Sequence, residues 1–462
     1  MDFTQKIDPN RTMMSGGPTP GNPGLAQTQA MGAFDPLKTT SFTVNPSGDT
    51  ALTVQMTLSR EATMANGPAR EQFLVELFGA QSQISGVGLP STGSARTPIN
   101  LCLVIDRSGS MEGPPLEYAK QACAYVVDMM TPNDVLSIVT FEEVVEVLMP
   151  PQRVTNKDMI KQGIQQIVPG NTTNLHDGIS LGLQQVMANL DPGRVTRLMV
   201  LSDGDPTAGI KDFNTLVNLA GGIRERSISA TFLGFGPDYN EELLHAMAKR
   251  AGGNYYYIPN PQMIPEVFRT EMEKLLTVVA RNISIDVKSA RWVSLRSPVI
   301  GTSGTVQLPD LERGTSLQQV FDMEFANHPL GWYRVATGKL TYEDLINGQN
   351  ATIDLDFVIE FTSDSTKYSC PVNPKVSGAA QIALASKAVE KTVMGLKTGM
   401  LSQLQAVQEL QKTQALLTAE GRTNEAAEVT MALQALRTGD HSGAEKTLMG
   451  TMLNLDQGKT KN

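Results

Sequence analysis

Three fragments of this sequence carry side chains whose types and spacing can do chemistry. They are Asp106-Arg107-Ser108-Gly109-Ser110-Met111, Asn171-Thr172-Thr173-Asn174-Leu175, and Leu201-Ser202-Asp203-Gly204-Asp205-Pro206-Thr207. Between them they offer the hydroxyls of Ser108 and Ser110, a threonine hydroxyl from Thr172 or Thr173, and the carboxylates of Asp106 and Asp203. An all-oxygen set of this kind suits a hard divalent cation, Mg²⁺ first and Mn²⁺ or Ca²⁺ as alternatives. A softer metal would want His or Cys, and none lies within the three fragments. Because hydroxyl ligands carry no charge, the cation stays electrophilic and would accept one more anionic oxygen from outside.

Bland readings compete with this one. Asp-x-Ser-x-Ser alone also describes a strand-end residue that caps a helix. Counted from Asp106 as the first position of a calcium loop, Ser108 and Ser110 fall at the third and fifth and Glu117 at the twelfth, but Met111 stands where an EF-hand needs Gly. Asp205 before Pro206 reads as a turn residue, and His176 as a surface residue at a helix start. Tyr255-Tyr256-Tyr257 reads as part of a strand. The Gly458-Lys459-Thr460 run has Leu453 where a phosphate-binding loop needs its first Gly. Neither His-Glu-x-x-His nor a sound Gly-x-Ser-x-Gly elbow is present.

The elements that must position these fragments can be read from hydrophobic periodicity. Ile99–Ile105 and Thr196–Ser202 are nearly continuous apolar runs, the pattern of strands buried on both faces. Between 99 and about 280, strands alternate with helices, the last helix expected over Ile264–Val279. The expected class is therefore α/β, a doubly wound Rossmann-like domain, with the three fragments at strand ends or loop-to-helix turns. In an open sheet of that kind, such positions line the ligand crevice. On either side the text alternates with period two, as in Ala51–Leu58 and Gln72–Phe78 before the domain, and Ile283–Val287, Ser316–Phe325 and Ile353–Phe361 after it. The simplest account is one β-sandwich built from both flanks with the α/β domain inserted in it. Expected divisions are a flexible arm over 1–38, sandwich over 39–97, the α/β domain over 98–280, sandwich again over 281–370, and an α-helical C-terminal region over 371–462 with three or four helices. A Gly/Pro/Ser/Thr-rich linker is expected over Gly86–Pro98.

The spacing of the three fragments makes a resemblance specific. Asp-x-Ser-x-Ser after the first buried strand, a Thr about 65 residues on and an Asp-Gly turn about 30 further resembles the metal-ion-dependent adhesion site of von Willebrand factor type A domains. The resemblance covers roughly residues 98–280. It implies that Ser108 and Ser110 ligate the cation directly, that Asp106 and Asp203 act through bound water, and that a loop threonine ligates when a partner is bound. Thr173 is favoured for that role because Thr-Asn-Leu before a helix matches the family's text; the doubled threonine keeps Thr172 as the alternative. The flanks are similar, more loosely, to bacterial type A proteins related to inter-alpha-trypsin inhibitor heavy chains. The implied function is a non-enzymatic, cation-dependent module that binds an Asp or Glu of a partner protein. Two other readings are a regulatory subunit working with an AAA+ ATPase of the MoxR or chelatase kind, and a metal-assisted phosphoryl hydrolase with Asp106 as nucleophile. The last is disfavoured, because no Lys, Arg or His is recognisably placed to assist.

Composition narrows the partner class. A formal net charge of −9 and the lack of a basic stretch speak against nucleic acid. The three cysteines, Cys102, Cys123 and Cys370, show no metal-ligand spacing and read as reduced thiols. No apolar run is long enough to span a membrane and no secretory leader is visible, so a cytoplasmic protein is expected.

Overall fold

The computed structural model describes residues 50–80, 96–236 and 239–461, together with short strands at Thr28–Gln29 and Ser41–Val44. Apart from Thr28–Gln29, the arm expected over 1–38 lies outside these residues, as does most of the linker expected over Gly86–Pro98. The chain forms two compact units. One comprises Met1–Ile84, Val279–Leu384 and Gln457–Asn462, and the other Ser85–Val278 with Ala385–Asp456.

The second unit is built on a six-stranded sheet. Its strands are β1 (Ile99–Asp106), β2 (Val135–Phe141), β3 (Val145–Arg153), β4 (Val195–Ser202), β5 (Ser229–Phe235) and β6 (Tyr255–Ile258), in the spatial order β6-β5-β4-β1-β2-β3. All neighbours are parallel except β3, which folds back antiparallel on β2. Every residue of β1, β2 and β4 is buried, which explains their unbroken apolar text. The helices between the strands are α1 (Pro114–Met129), α2 (Lys157–Gln165), α3 (Leu175–Met187), α4 (Phe213–Arg224), α5 (Glu241–Ala251) and α6 (Ile264–Leu275).

Local chemistry sets where these helices begin. The side chains of Asn156, Asn174, Asp212 and Asn240 each accept a backbone N–H from the first turn of α2, α3, α4 and α5. Pro114 and Pro115 open α1, where a missing N–H costs nothing. On α3, Gly182 permits close approach to β1: a Cβ there would lie 2.5 Å from Cγ2 of Val104.

Chain order along this sheet reverses beside β1. The chain moves from β1 outward to β2 and β3, then returns past β1 to start β4 on its other side. A doubly wound sheet opens its crevice at such a reversal, at the carboxyl ends of the two strands involved.

The C-terminal helices α7 (Pro374–Lys397), α8 (Gln403–Ala419), α9 (Thr423–Thr438) and α10 (His441–Asp456) follow, with α9 packed against both α8 and α10. Sequence reading set 371–462 apart as a helical region. In the structure, residues 385–456 group with the α/β sheet, and α10 packs on α5 and β6.

The first unit holds two sheets around one core. In one, the long strand Gly331–Asp344 lies between Gln349–Thr362 and Val278–Ser289. In the other, Thr315–Phe325 lies between Val293–Ser297 and Ala69–Gly79, which in turn pairs with Leu52–Leu58. Ala69–Gly79 and Thr315–Phe325 run antiparallel from Ala69↔Phe325 to Phe78↔Ser316, so the text before the α/β domain and the text after it share a sheet. Val54, Phe73 and Phe321 from one sheet meet Ile285, Leu340 and Phe357 from the other in a single hydrophobic cluster. The Phe73 and Phe357 rings stand edge to face at 5.4 Å.

Two local expectations need correction. The helix expected over Ile264–Val279 ends at Leu275, and Val278 already begins a strand. Strand Gly331–Asp344 was not expected at all. A register shift between Arg334 and Ala336 breaks its alternation and hides the period from a reading that counts every second residue. Among the described residues, no helix is long and apolar enough to cross a membrane.

Candidate metal centre

The three fragments come together at the reversal point. Asp106 is the last residue of β1, and Asp203 directly follows β4. Ser108 and Ser110 sit on the tight turn after β1, where Gly109–Met111 forms a single 3₁₀ turn. Both serine hydroxyls reach the same oxygen of Asp203, Oδ1, at 3.3 Å from Ser108 and 2.9 Å from Ser110, and stand 3.2 Å from each other. Asp106 accepts the Ser108 N–H on Oδ1 at 2.8 Å and the Ser202 hydroxyl on Oδ2 at 2.7 Å. Asp106, Ser108 and Asp203 are all buried, while Ser110 is exposed. The cluster therefore opens outward at Ser110.

The threonine loop is tied to both other loops by backbone hydrogen bonds. Gly109 donates to the Asn171 carbonyl, and Gly170 donates to the Arg107 carbonyl at 2.6 Å. Thr173 donates its N–H to Oγ1 of Thr207 at 2.8 Å and receives the N–H groups of Thr207 and Ala208 on its carbonyl. A Cβ placed at Gly204 would lie 3.6 Å from the Thr173 hydroxyl, so that hydroxyl faces the Asp203-Gly204 turn. The Thr172 hydroxyl is buried without a hydrogen-bond partner.

Electrostatics at the cluster favour a positive charge. Burial, and then the charge of Asp203, push the Asp106 carboxyl up to about 7, against the hydrogen bonds from Ser108 and Ser202. Two carboxylates close together in a buried setting call for a proton or a cation between them. Among the described residues, no group of three or more His, Cys, Asp or Glu could hold a metal. A metal bound in this crevice would thus depend on hydroxyls beside the two acids, and that donor set fits a hard cation that keeps some of its water.

His176 pairs with Asp177 at 2.7 Å, and Glu117 pairs with Lys120 at 2.8 Å. The carboxyl of Asp205 is raised by burial and by the nearby charge of Glu241, with Lys446 opposing. Tyr255 is buried in β6 with its hydroxyl 2.7 Å from that of Tyr239. Cys102 and Cys123 are buried, and burial pushes both thiols up to about 12.

Sequence reading missed three supporting residues. Ser202 orients Asp106. Thr207 receives the Thr173 N–H. Glu142 accepts the Asn171 N–H on its carboxylate and the Asn174 N–H on its carbonyl, which fixes the threonine loop from below. Ser202 and Thr207 stand inside the third fragment, so their positions were visible but their partners were not. Glu142, at the end of β2, carried no signal.

Comparison with known proteins agrees with this architecture. The family model for the von Willebrand factor type A domain matches residues 100–270. An uncharacterized Synechocystis protein, sll0103, is 32% identical over 187 residues, covering 40% of this chain and 44% of that protein. YfbK of Escherichia coli, also uncharacterized, is 26% identical over 261 residues, covering 55% of this chain and 43% of YfbK. An inter-alpha-trypsin inhibitor heavy chain from Bos taurus is 30% identical over 165 residues, covering 34% of this chain and 18% of that one. The match thus spans less than half the length of each of these relatives. Two solved structures share the fold across most of the chain. A von Willebrand factor type A protein from Catenulispora acidiphila has a TM-score of 0.63 at 15% identity, covering 83% of this chain and 91% of that one. The ArnB paralog VWA2 from Sulfolobus acidocaldarius has a TM-score of 0.59 at 18% identity, covering 87% and 98%. The doubly wound sheet, its reversal point beside β1 and the matched span of residues make this segment of the chain a von Willebrand factor type A domain.

Proposed function

We propose that this chain is a non-enzymatic protein-binding module that holds one Mg²⁺ in the crevice beside β1 and β4 and uses it to take an Asp or Glu side chain of a partner protein. In this reading Ser108, Ser110 and Thr173 supply hydroxyl ligands, while Asp106 and Asp203 hold the cation's water shell. The cation supplies Lewis-acid attraction for an incoming carboxylate. The chain's own contribution is orientation. Ser202 and the Ser108 N–H fix Asp106, and Thr207 with Ala208 fixes the Thr173 backbone. Removing the cation leaves a partner carboxylate facing Asp106 and Asp203, so contact turns from attraction to repulsion.

The observation that carries the reading is the convergence of the Ser108 and Ser110 hydroxyls on one oxygen of Asp203, at a crevice whose mouth is exposed at Ser110. The same geometry argues against Asp106 as a nucleophile: it is buried, and both of its oxygens accept hydrogen bonds. Calorimetry of Mg²⁺ into the EDTA-stripped chain tests the proposal. One site is expected in the wild type and none in Asp106→Ala; equal affinity in the two would overturn it. A pull-down in Mg²⁺ against EDTA, read by mass spectrometry, then identifies the partner.

A further inference from the structure

The loops that carry the site also carry exposed apolar side chains. Val144, between β2 and β3, is 53% exposed, and Val168, just before the threonine loop, is 62% exposed. Ile210 and Phe213, on the loop into α4 and its first residue, are 44% and 42% exposed. Backbone contacts tie these residues to the crevice. Val144 accepts the Glu142 N–H, and Glu142 in turn accepts that of Asn174. The Val168 carbonyl faces the Arg107 guanidinium. Gly209, next to Ile210, stands so close to Asn174 that a Cβ there would meet its Oδ1 at 2.1 Å. β2 and β4 are the two neighbours of β1, so residues following them stand on opposite sides of the Asp106–Ser110 turn. The polar crevice therefore has an apolar shoulder on each side. A single exposed apolar residue is ordinary; four on the loops that carry one polar cleft offer a surface for contact.

Charge on the same loops is one-sided. Glu112, Glu143, Glu146 and Asp205 are exposed. Of the bases, Lys211 is exposed, while Arg107 is mostly buried and faces Glu142 and Glu146 at 3.5 Å each. One carboxylate can reach the cation, but a second one beside it would meet these acids.

We propose that the occupant of this face is a partner-protein segment with a single Asp or Glu flanked on both sides by apolar side chains and with no second acid. The proposal rests on the cation-dependent reading above. The carboxylate goes to the metal, one apolar neighbour packs on Val144 and Val168, and the other packs on Ile210 and Phe213.

The test uses the full chain and a displayed library of short random peptides with a fixed central Asp, panned in parallel with Mg²⁺ and with EDTA. The expected result is a Mg²⁺-dependent pool enriched in apolar residues on both sides of the Asp and depleted in further acids. Phe213→Ser and Val168→Ser each lower recovery of that pool, on the order of tenfold for loss of one apolar anchor. Calorimetric Mg²⁺ affinity stays unchanged in both variants. A Mg²⁺-dependent pool with polar or basic flanks, or one indifferent to both substitutions, overturns the apolar shoulders and leaves the cation reading standing. Equal pools in Mg²⁺ and EDTA overturn both.

Discussion

At the scale of single residues, the site is a set of hydroxyls and carboxylates held by other hydroxyls and backbone N–H groups. Ser202 is the clearest supporting residue, because its hydroxyl donates to Oδ2 of the buried Asp106 carboxylate. Ser202→Ala leaves that oxygen without a partner in a setting where burial already pushes the carboxyl up to about 7. We expect a loss of about 1–3 kcal/mol in stability, the usual cost of leaving a buried acceptor unsatisfied. Mg²⁺ affinity should also fall, since the carboxylate is no longer held in one orientation. Urea denaturation and calorimetry measure the two effects separately; an unchanged denaturation midpoint would contradict the role. Thr173→Ala and Thr172→Ala form a second comparison. Only the Thr173 hydroxyl faces the Asp203-Gly204 turn, so only Thr173→Ala should weaken capture of an acidic peptide in Mg²⁺.

At the scale of elements, burial decides what can change. Gly182 lets α3 lie close to β1, and Gly182→Ala drives a methyl to 2.5 Å from Val104. Overpacking of that kind costs about 1–3 kcal/mol, readable as a lowered thermal midpoint. Deeper in the same unit, Glu271 of α6 accepts from Arg197, Thr231, Asn254 and Tyr256. Burial alone would raise this carboxyl, but the Arg197 and Lys274 charges and these hydrogen bonds hold it below its ordinary range. Arg197→Met strands a buried carboxylate, for an expected loss of about 3–5 kcal/mol.

His245 on α5 gives a pH signature. Burial, and then the Lys249 charge, lower its imidazole to about 4, while Asp456 opposes. The unfolded chain takes up this proton near its ordinary 6.5, and the folded chain only near 4. Stability from this group is thus full above pH 6.5 and is lost as pH falls toward 4, by up to about 3 kcal/mol. His245→Phe keeps a ring beside Tyr255 and should flatten that part of the stability profile. An identical acid slope in the variant, by urea midpoints across the range, would count against it.

At the scale of the whole molecule, each compact unit is assembled from separated stretches of chain. Ala69–Gly79 finds its pairing partner at Thr315–Phe325, and its Phe73 packs against Phe357. A fragment spanning 40–95 has neither and should be unfolded by circular dichroism; a folded, monomeric fragment would refute the expectation. The α/β unit likewise draws on the C-terminal helices, since α10 packs on α5 and β6, with Lys446 buried over the Tyr239 ring at 4.4 Å. Truncation after Lys397 should lower the thermal midpoint of this unit while leaving Mg²⁺ affinity intact, because Glu142, Arg107 and Thr207 hold the site loops by hydrogen bonds that the truncation keeps.

By itself the sequence determined what local pattern can report. Unbroken apolar runs marked β1 and β4, and the Asp-x-Ser-x-Ser, Thr and Asp-Gly texts at element ends marked the candidate ligands. Strand periods, helix starts and turn chemistry act over a few residues, so they are legible in a string. Partners distant along the chain were decided only by tertiary structure. Ser202 and Asp106 are separated by 96 positions, and nothing near either one announces their hydrogen bond. The same holds for Glu142 beneath the threonine loop, for Ala69–Gly79 against Thr315–Phe325, and for α10 on α5 and β6. Strand Gly331–Asp344 shows the limit within one element, where a single bulge shifts the alternation and removes the period that would have revealed it. Composition allows these long-range choices, but the shape of the folded chain selects among them, because each depends on which buried surfaces and unpaired polar groups meet once the sheets have formed.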